Sequence, residues 1–273
     1  MDILILLDVG NTNVKIGFAR TGKGQGAEAV SSYALPTSQS AGPGGLDTPD
    51  SWGLKLLDLC RVEGVQPGQI VGFVASSVVP PMNPVLSRAA RRFFGREVRF
   101  VPGDIPLNIE NRYARPAEVG ADRLVTAYAA RCRSTAHTLV VVDFGTATTF
   151  DCVQGGAYLG GLICPGVLSS ARALATGTAK LPHITLEIDQ AGGLHIGRST
   201  SESLNQGLIY GFGAMVDGLI TRLAETLGVT AGDLHCIGTG GFAARIAQVC
   251  PAMDEVCEDL LLEGLLRAWN AAR

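Results

Sequence analysis

An apolar strand that runs into an aspartate, a glycine and a cluster of small amides and hydroxyls is suited to phosphate chemistry. This sequence has one near its start, where ILILLDV (3–9) leads into Asp8-Val9-Gly10-Asn11-Thr12-Asn13-Val14-Lys15. Gly10 permits a tight turn and close backbone approach. Backbone N–H groups together with Asn11, Thr12 and Asn13 can donate to anionic oxygens. Asp8 offers the hard oxygen ligand that hydrated Mg²⁺ prefers. Lys15, one of four lysines in the chain, closes the turn. The pattern returns half a chain later, where TLVVVD (138–143) leads into Asp143-Phe144-Gly145-Thr146-Ala147-Thr148-Thr149-Phe150. Either turn alone is what an ordinary hairpin carries. The two together predict a duplicated body whose paired turns grip one polyphosphate from both sides. Gly238-Thr239-Gly240-Gly241-Phe242-Ala243, after a short strand, suits either a nucleotide at a helix start or a plain strand–helix connection.

These turns need rigid elements behind them, and the apolar periodicity supplies them. Strands are expected at 3–9, 14–19, 70–77, 97–101, 138–143, 147–153, 157–163 and 233–238, the first two as a hairpin. Helices are expected at 51–62, 83–94, 120–133, 166–176 and 201–228. The tail 254–272 reads as an amphipathic helix with Val256, Leu260, Leu261, Leu265 and Trp269 on one stripe. The segment 34–50, rich in Gly and Pro, reads as a surface loop. Strands mixed with helices throughout make the class α/β.

Composition narrows the function classes. With 47% apolar residues and a net charge of −3 over 273 residues, the chain is no disordered segment. It has 35 glycines, close to twice the usual share of about 7%, but no three-residue period, so it is not collagen-like. The slightly acidic balance gives no general reason to bind nucleic acid. The basic run Arg88 to Arg99 reads as a solvated helix face. Seven scattered cysteines without a C-x-x-C pair point to free thiols in a reducing cytosol. No G-x-x-x-x-G-K-[ST] loop and no G-x-S-x-G elbow is present. The apolar start stops at Asp8 and has no basic flank, so it is a strand and not a signal peptide. The uncharged run 152–171 is broken by Gly-Gly pairs and reads as strand–turn–strand, not as a membrane span. The expectation is a soluble, cytoplasmic protein that associates with neither nucleic acid nor membrane.

DVGNTNVKIGF (8–18), DFGTATTFD (143–151) and TGGFA (239–243) resemble the two phosphate motifs and the adenosine motif of the acetate and sugar kinase/Hsp70/actin superfamily. More narrowly, ASSVVPPMN (75–83), GDIPLNI (103–109), EVGADR (118–123), GGLICPGVLSSARAL (160–174), TAKLP (178–182) and IGRSTSESLNQGLIYG (196–211) are similar, in the same order, to segments of the type III pantothenate kinases.

The resemblance implies a duplicated ribonuclease H-like (actin-like ATPase) fold of two similar domains with a cleft between them. It implies one half at 1–118 with the first phosphate motif. The other, at 119–273, holds the second phosphate and adenosine motifs, and the helix 254–272 packs back on the first half. It further implies ATP-dependent phosphorylation of the 4′-hydroxyl of pantothenate, the first step towards coenzyme A, by a homodimer with active sites at the interface. Carried over residue by residue, Asp8 to Lys15 and Thr146 bind ATP, with Asp8 acting on Mg²⁺. Asp143 holds a monovalent cation, K⁺ or NH₄⁺. Tyr113, Gly120, Ala121, Asp122, Arg123 and Thr200 bind pantothenate, and Asp122 is the catalytic base. Without the resemblance, Asp122-Arg123 is an ordinary capping carboxylate and solvated cation. Alternatives in view are a kinase of the same superfamily with another small hydroxyl substrate, and a non-catalytic ATP-binding regulator. Three departures stand out. The 34–50 segment is longer than the usual connection, Arg115 stands where Asn is frequent, and Ser199 replaces the common Asn before Thr200.

Overall fold

The computed structural model describes residues 2–21, 28–37, 48–177, 181–182, 184–187 and 193–273. In chain order the strands and α-helices are β1 (Asp2–Val9), β2 (Asn13–Thr21), β3 (Glu28–Pro36), α1 (Pro49–Val62), β4 (Ile70–Ser77), α2 (Met82–Phe94), β5 (Val98–Phe100), β6 (Glu110–Asn111), α3 (Ala121–Arg133), β7 (Thr138–Phe144), β8 (Ala147–Gln154), β9 (Ala157–Pro165), α4 (Val167–Gly177), α5 (Thr200–Thr226), β10 (Leu234–Thr239), α6 (Ala243–Ile246), β11 (Glu255–Val256) and α7 (Leu260–Ala271). No described helix is long and apolar enough to cross a membrane.

The chain forms two compact units. The first comprises Met1–Ile109, Arg115–Ala129 and Leu260–Arg273, the second Glu110–Ala114 and Ala130–Asp259. The first holds a sheet of order β3-β2-β1-β4-β5. Its first two neighbouring pairs are antiparallel and its last two parallel. The second holds a sheet of order β11-β10-β7-β8-β9-β6. Apart from the added β6, its order and strand directions repeat the first sheet with β7 in the place of β1. That is the ribonuclease H-like arrangement, duplicated: the paired turns implied the duplication and the motif resemblance implied the fold.

The central strand of the first sheet is apolar on both faces because both are covered. Ile5, Leu7 and Val9 pack with Phe73, Trp52 and Leu56 from β4 and α1 and with Leu86 of α2. Leu4 and Leu6 pack on the opposite side with Val125 and Tyr128 of α3 and Leu262 and Leu265 of α7. In the second unit Val140, Val142 and Phe150 pack with Ile209, Phe212, Val216 and Ile220 of α5.

Two expectations need correction. Residues 34–36 are the end of β3, paired with β2, and not part of a loop. Their alternation is weak, and this outermost strand is held by its neighbour's ladder. Pro36 sits at its end, where a missing N–H costs no ladder bond. Residues 49–50 open α1, where Thr48 accepts the N–H of Ser51 at 3.2 Å and Pro49 occupies the first turn. Residues 38–47 of the segment lie outside the described residues. The tail is also not one helix. Glu255 and Val256 form β11 beside β10, and the helix begins only at Leu260. The Asp254 carboxylate accepts the N–H of Cys236 at 2.8 Å, which ties this stretch to the sheet instead.

The packing of α7 on α3 is close enough to forbid a side chain. A Cβ on Gly264 would stand 2.6 Å from the Val125 carbonyl. Gly264→Ala should therefore lose about 1–3 kcal/mol, read from the urea midpoint. Gly218→Ala in α5, where no atom lies within 4 Å of the new methyl, should gain about 0.5–1 kcal/mol instead.

Candidate active site

In the first unit, β1 and β2 meet in register with Asp8 opposite Lys15 and Val9 opposite Val14. The turn between them closes through Gly10 N–H donating to the Asn13 carbonyl at 3.0 Å. Thr37, just past β3, ties the turn from behind. Its hydroxyl donates to the Gly10 carbonyl at 2.8 Å and its N–H to the Thr12 carbonyl at 2.8 Å. Asn11, Thr12 and Asn13 are exposed at the tip, and Asp8 and Lys15 are half-buried at its base. Val9 and Val14 are fully buried in the core, so only their backbone faces the turn.

The segment carrying Asp122 belongs to this same unit. Asp122 lies one helical turn before Val125, on the α3 stripe that packs against the Leu4–Leu6 face of the sheet. The approach to α3 is close. A Cβ on Gly120 would lie 3.4 Å from Val78 and would push the Asp122 carboxylate out of its present place, so glycine here leaves that side chain its position. Val78 follows β4 directly, and its N–H donates to the Val9 carbonyl at 3.1 Å. The Gly120–Arg123 motif therefore stands at the strand ends that carry the Asp8 turn. The Asp122 carboxylate accepts the Arg123 N–H at 2.8 Å, and the Asp122 carbonyl accepts the Thr126 hydroxyl. Burial pushes the Asp122 carboxyl above the ordinary aspartate value, partly offset by that N–H and the Arg123 charge. Ala121 and Arg123 are half-buried beside it. Arg115 pairs with Glu118 in the open.

In the second unit the turn is one residue tighter. Asp143 pairs with Thr149, and Gly145 N–H donates to the Ala147 carbonyl at 3.1 Å. The register thus makes Thr149 the counterpart of Lys15, and Phe150 goes into the core. Two glycines let other segments close on this turn. At Gly166, before α4, a Cβ would collide with the Thr146 carbonyl, which also accepts the Ser169 hydroxyl at 2.7 Å. At Gly240 a Cβ would collide with the Asp143 carboxylate, and its φ of +86° is the left-handed region that glycine tolerates. Tyr113 follows β6 and packs on Tyr158 with ring centroids 6.4 Å apart. Gly160, at φ +112°, leaves room for its ring. Thr200 opens α5 in the open, behind the cap Ser199, whose hydroxyl accepts the Glu202 N–H at 3.2 Å. Ser and Asn are comparable helix caps, which explains why Ser199 can stand for the usual Asn.

Sequence reasoning passed over several polar groups here. Ser76 lies beside Asp8 and Thr239 beside Asp143, each on the neighbouring parallel strand. Asp151 is a buried carboxylate that accepts the Tyr158 hydroxyl at 2.9 Å and the Thr149 hydroxyl at 3.2 Å. Among the described residues no three metal-ligating side chains converge. A divalent ion here would take most of its ligands from phosphate and water, which suits Mg²⁺ carried by a nucleotide, with Asp8 as the protein's carboxylate. Asp143 is half-buried, with Thr149 and Thr239 opposite it on the neighbouring strands.

Duplicated sheets of this order, each ending in an Asp-x-Gly turn, define the actin-like ATPase class. Similar solved structures include a Campylobacter jejuni protein of the Baf family, at TM-score 0.58 and 15% identity over 98% of both chains. An inorganic polyphosphate/ATP-glucomannokinase from Arthrobacter sp. strain KM matches at TM-score 0.50 and 15% identity over the full length of both. Residues 4–222 match the profile of the type III pantothenate kinase family. The chain is 54% identical over 262 residues to the type III pantothenate kinase of Nitratidesulfovibrio vulgaris (strain DSM 19637 / Miyazaki F), covering 96% of this chain and 94% of that one. The chain belongs to the type III pantothenate kinase family.

The raised Asp122 pKa fixes a sign for stability. A carboxyl whose folded pKa lies above its unfolded value favours the fold in its protonated form. Its contribution is fully present below the unfolded value of 3.8 and is lost as pH rises through the higher folded value. Asp122→Asn lacks that loss. Chemical denaturation should show the stability of the variant relative to wild type improving as pH rises from 4 to 7.

Proposed function

We propose that the Asp8–Lys15 turn and Thr146 bind the phosphates of ATP, and that Asp122 is the base facing the acceptor hydroxyl. Membership of the family makes the reaction the ATP-dependent phosphorylation of the 4′-hydroxyl of pantothenate, in coenzyme A biosynthesis. The single observation that supports the residue roles is the half-buried Asp122 carboxylate, desolvated enough to be held above the ordinary aspartate value, at the strand ends that carry the Asp8 turn. Phosphoryl transfer is mostly positioning and charge stabilisation. A carboxylate cannot strip an alcohol of its proton beforehand. It orients the hydroxyl and accepts the proton late, as the new bond to phosphorus forms, and a raised pKa improves it for that task. Arg123 then pairs with the pantothenate carboxylate, where a planar guanidinium can bind both oxygens.

Gly120 and Ala121 admit the substrate close to the backbone, and Tyr113 and Thr200 complete its contacts. Asp8 would hold Mg²⁺ through water and Asp143 a monovalent cation, K⁺ or NH₄⁺. When bound, these ions offset charge on the phosphates. We further take the enzyme to act in the cytoplasm as a homodimer with active sites at the interface. Seven free cysteines suit that compartment, and Leu194 and Ile196, 70% and 90% exposed, suit burial by a second copy.

An ADP-release assay over a set of acceptors, with and without K⁺ or NH₄⁺, tests this reading. Turnover is expected with pantothenate and a monovalent cation. Asp122→Asn should lower kcat about 10²–10⁴-fold and still bind ATP and pantothenate by calorimetry. Absence of turnover with pantothenate would sink the acceptor assignment, and a rate indifferent to the cation would remove the role given to Asp143.

A further inference from the structure

Ser76 is fully buried at the end of β4, and its hydroxyl meets no hydrogen-bond partner among the described residues. A buried donor left in that state costs stability, so its presence calls for an acceptor that arrives in another state of the protein. The register identifies one. Ser76 is paired with Asp8 in the parallel β1–β4 ladder, and Asp8 with Lys15 in the antiparallel ladder on its other side. Side chains of paired residues stand on the same face, on strands about 4.8 Å apart, so a rotamer change brings the hydroxyl to the carboxylate. The duplication repeats the relation independently. Thr239 on β10 is paired with Asp143 on β7 and is also buried, its hydroxyl making, among the described residues, only a long 3.4 Å contact with the Glu258 carbonyl. A hydroxyl therefore flanks each motif aspartate at the same position of both sheets.

We propose that Ser76 is a positioning residue for Asp8, and that its hydroxyl donates to the Asp8 carboxylate in the nucleotide-bound state. The bond fixes the carboxylate in the orientation that faces the phosphates and their cation, and the buried hydroxyl gains its acceptor as ligand binds. This rests on the reading of the Asp8–Lys15 turn as a phosphate site.

The experiment measures Mg²⁺-ATP affinity by calorimetry without pantothenate, alongside the melting temperature of the ligand-free protein and the KM for pantothenate. Ser76→Ala should leave the ligand-free melting temperature unchanged or higher, because it removes an unmatched polar group. It should weaken Mg²⁺-ATP binding about tenfold and leave the pantothenate KM within about twofold. Ser76→Cys keeps the shape but is a weak donor, and should lose affinity like Ser76→Ala. In an Asp8→Asn background, Ser76→Ala should add no further loss, since it acts through Asp8. Wild-type affinity in Ser76→Cys would reduce the role to packing and overturn the proposal. Unchanged affinity in Ser76→Ala, with affinity lost in Asp8→Asn, would overturn it while leaving the phosphate site standing. Unchanged affinity in Asp8→Asn would remove the reading on which it rests.

Discussion

A strand covered on both faces can hold the residue at its end more rigidly than any loop. The rest of this structure depends on that constraint. Leu4 to Leu7 of β1 are wholly buried, with α1 and α2 against one face and α3 and α7 against the other. Asp8 is the first polar side chain after this stretch, and so its position is inherited from packing it takes no part in. The same holds for Asp143 after Leu139 to Val142. Charge placed in this way faces a boundary between low and high dielectric, where its interaction with phosphate or cation is stronger than in bulk water.

Segments that close on the turns and on Asp122 do so at glycines. Gly240 meets the Asp143 carboxylate, Gly166 meets the Thr146 carbonyl and Gly120 meets the Asp122 carboxylate. The glycine excess in the composition is thus partly a record of close approach. Hydroxyls do complementary work. Thr37 and Ser169 each tie back a turn carbonyl.

Asp122 combines two roles that pull against each other. Its carboxylate accepts the Arg123 N–H in the first turn of its own helix, which favours the ionised form. Burial disfavours that form and prevails. A capping aspartate in water would be a weaker base. The apolar stripe that begins at Val125 draws the start of α3 into the fold and so changes the chemistry of its first turn.

The sequence by itself determined the apolar strands, the helices, both Asp-x-Gly turns and the Gly120–Arg123 motif, because each is written in local periodicity or in glycine and acid placement. The duplication was legible in the echo between Asp8 and Asp143, and the ribonuclease H-like fold in the resemblance of the motifs around them. Tertiary structure alone decided β3 and β6, whose short or weakly patterned segments gain their bonds from a neighbouring strand. It also decided that β11 replaces the first turn of the expected tail helix. Only the register showed that Thr149, and not Phe150, faces Asp143, since a turn shorter by one residue shifts every later pair. Only the ladders put Ser76 beside Asp8 and Thr239 beside Asp143, and only packing buried Asp151 against Tyr158. Strand partners are remote in sequence, and a residue's neighbour across a sheet depends on a register that no local pattern encodes.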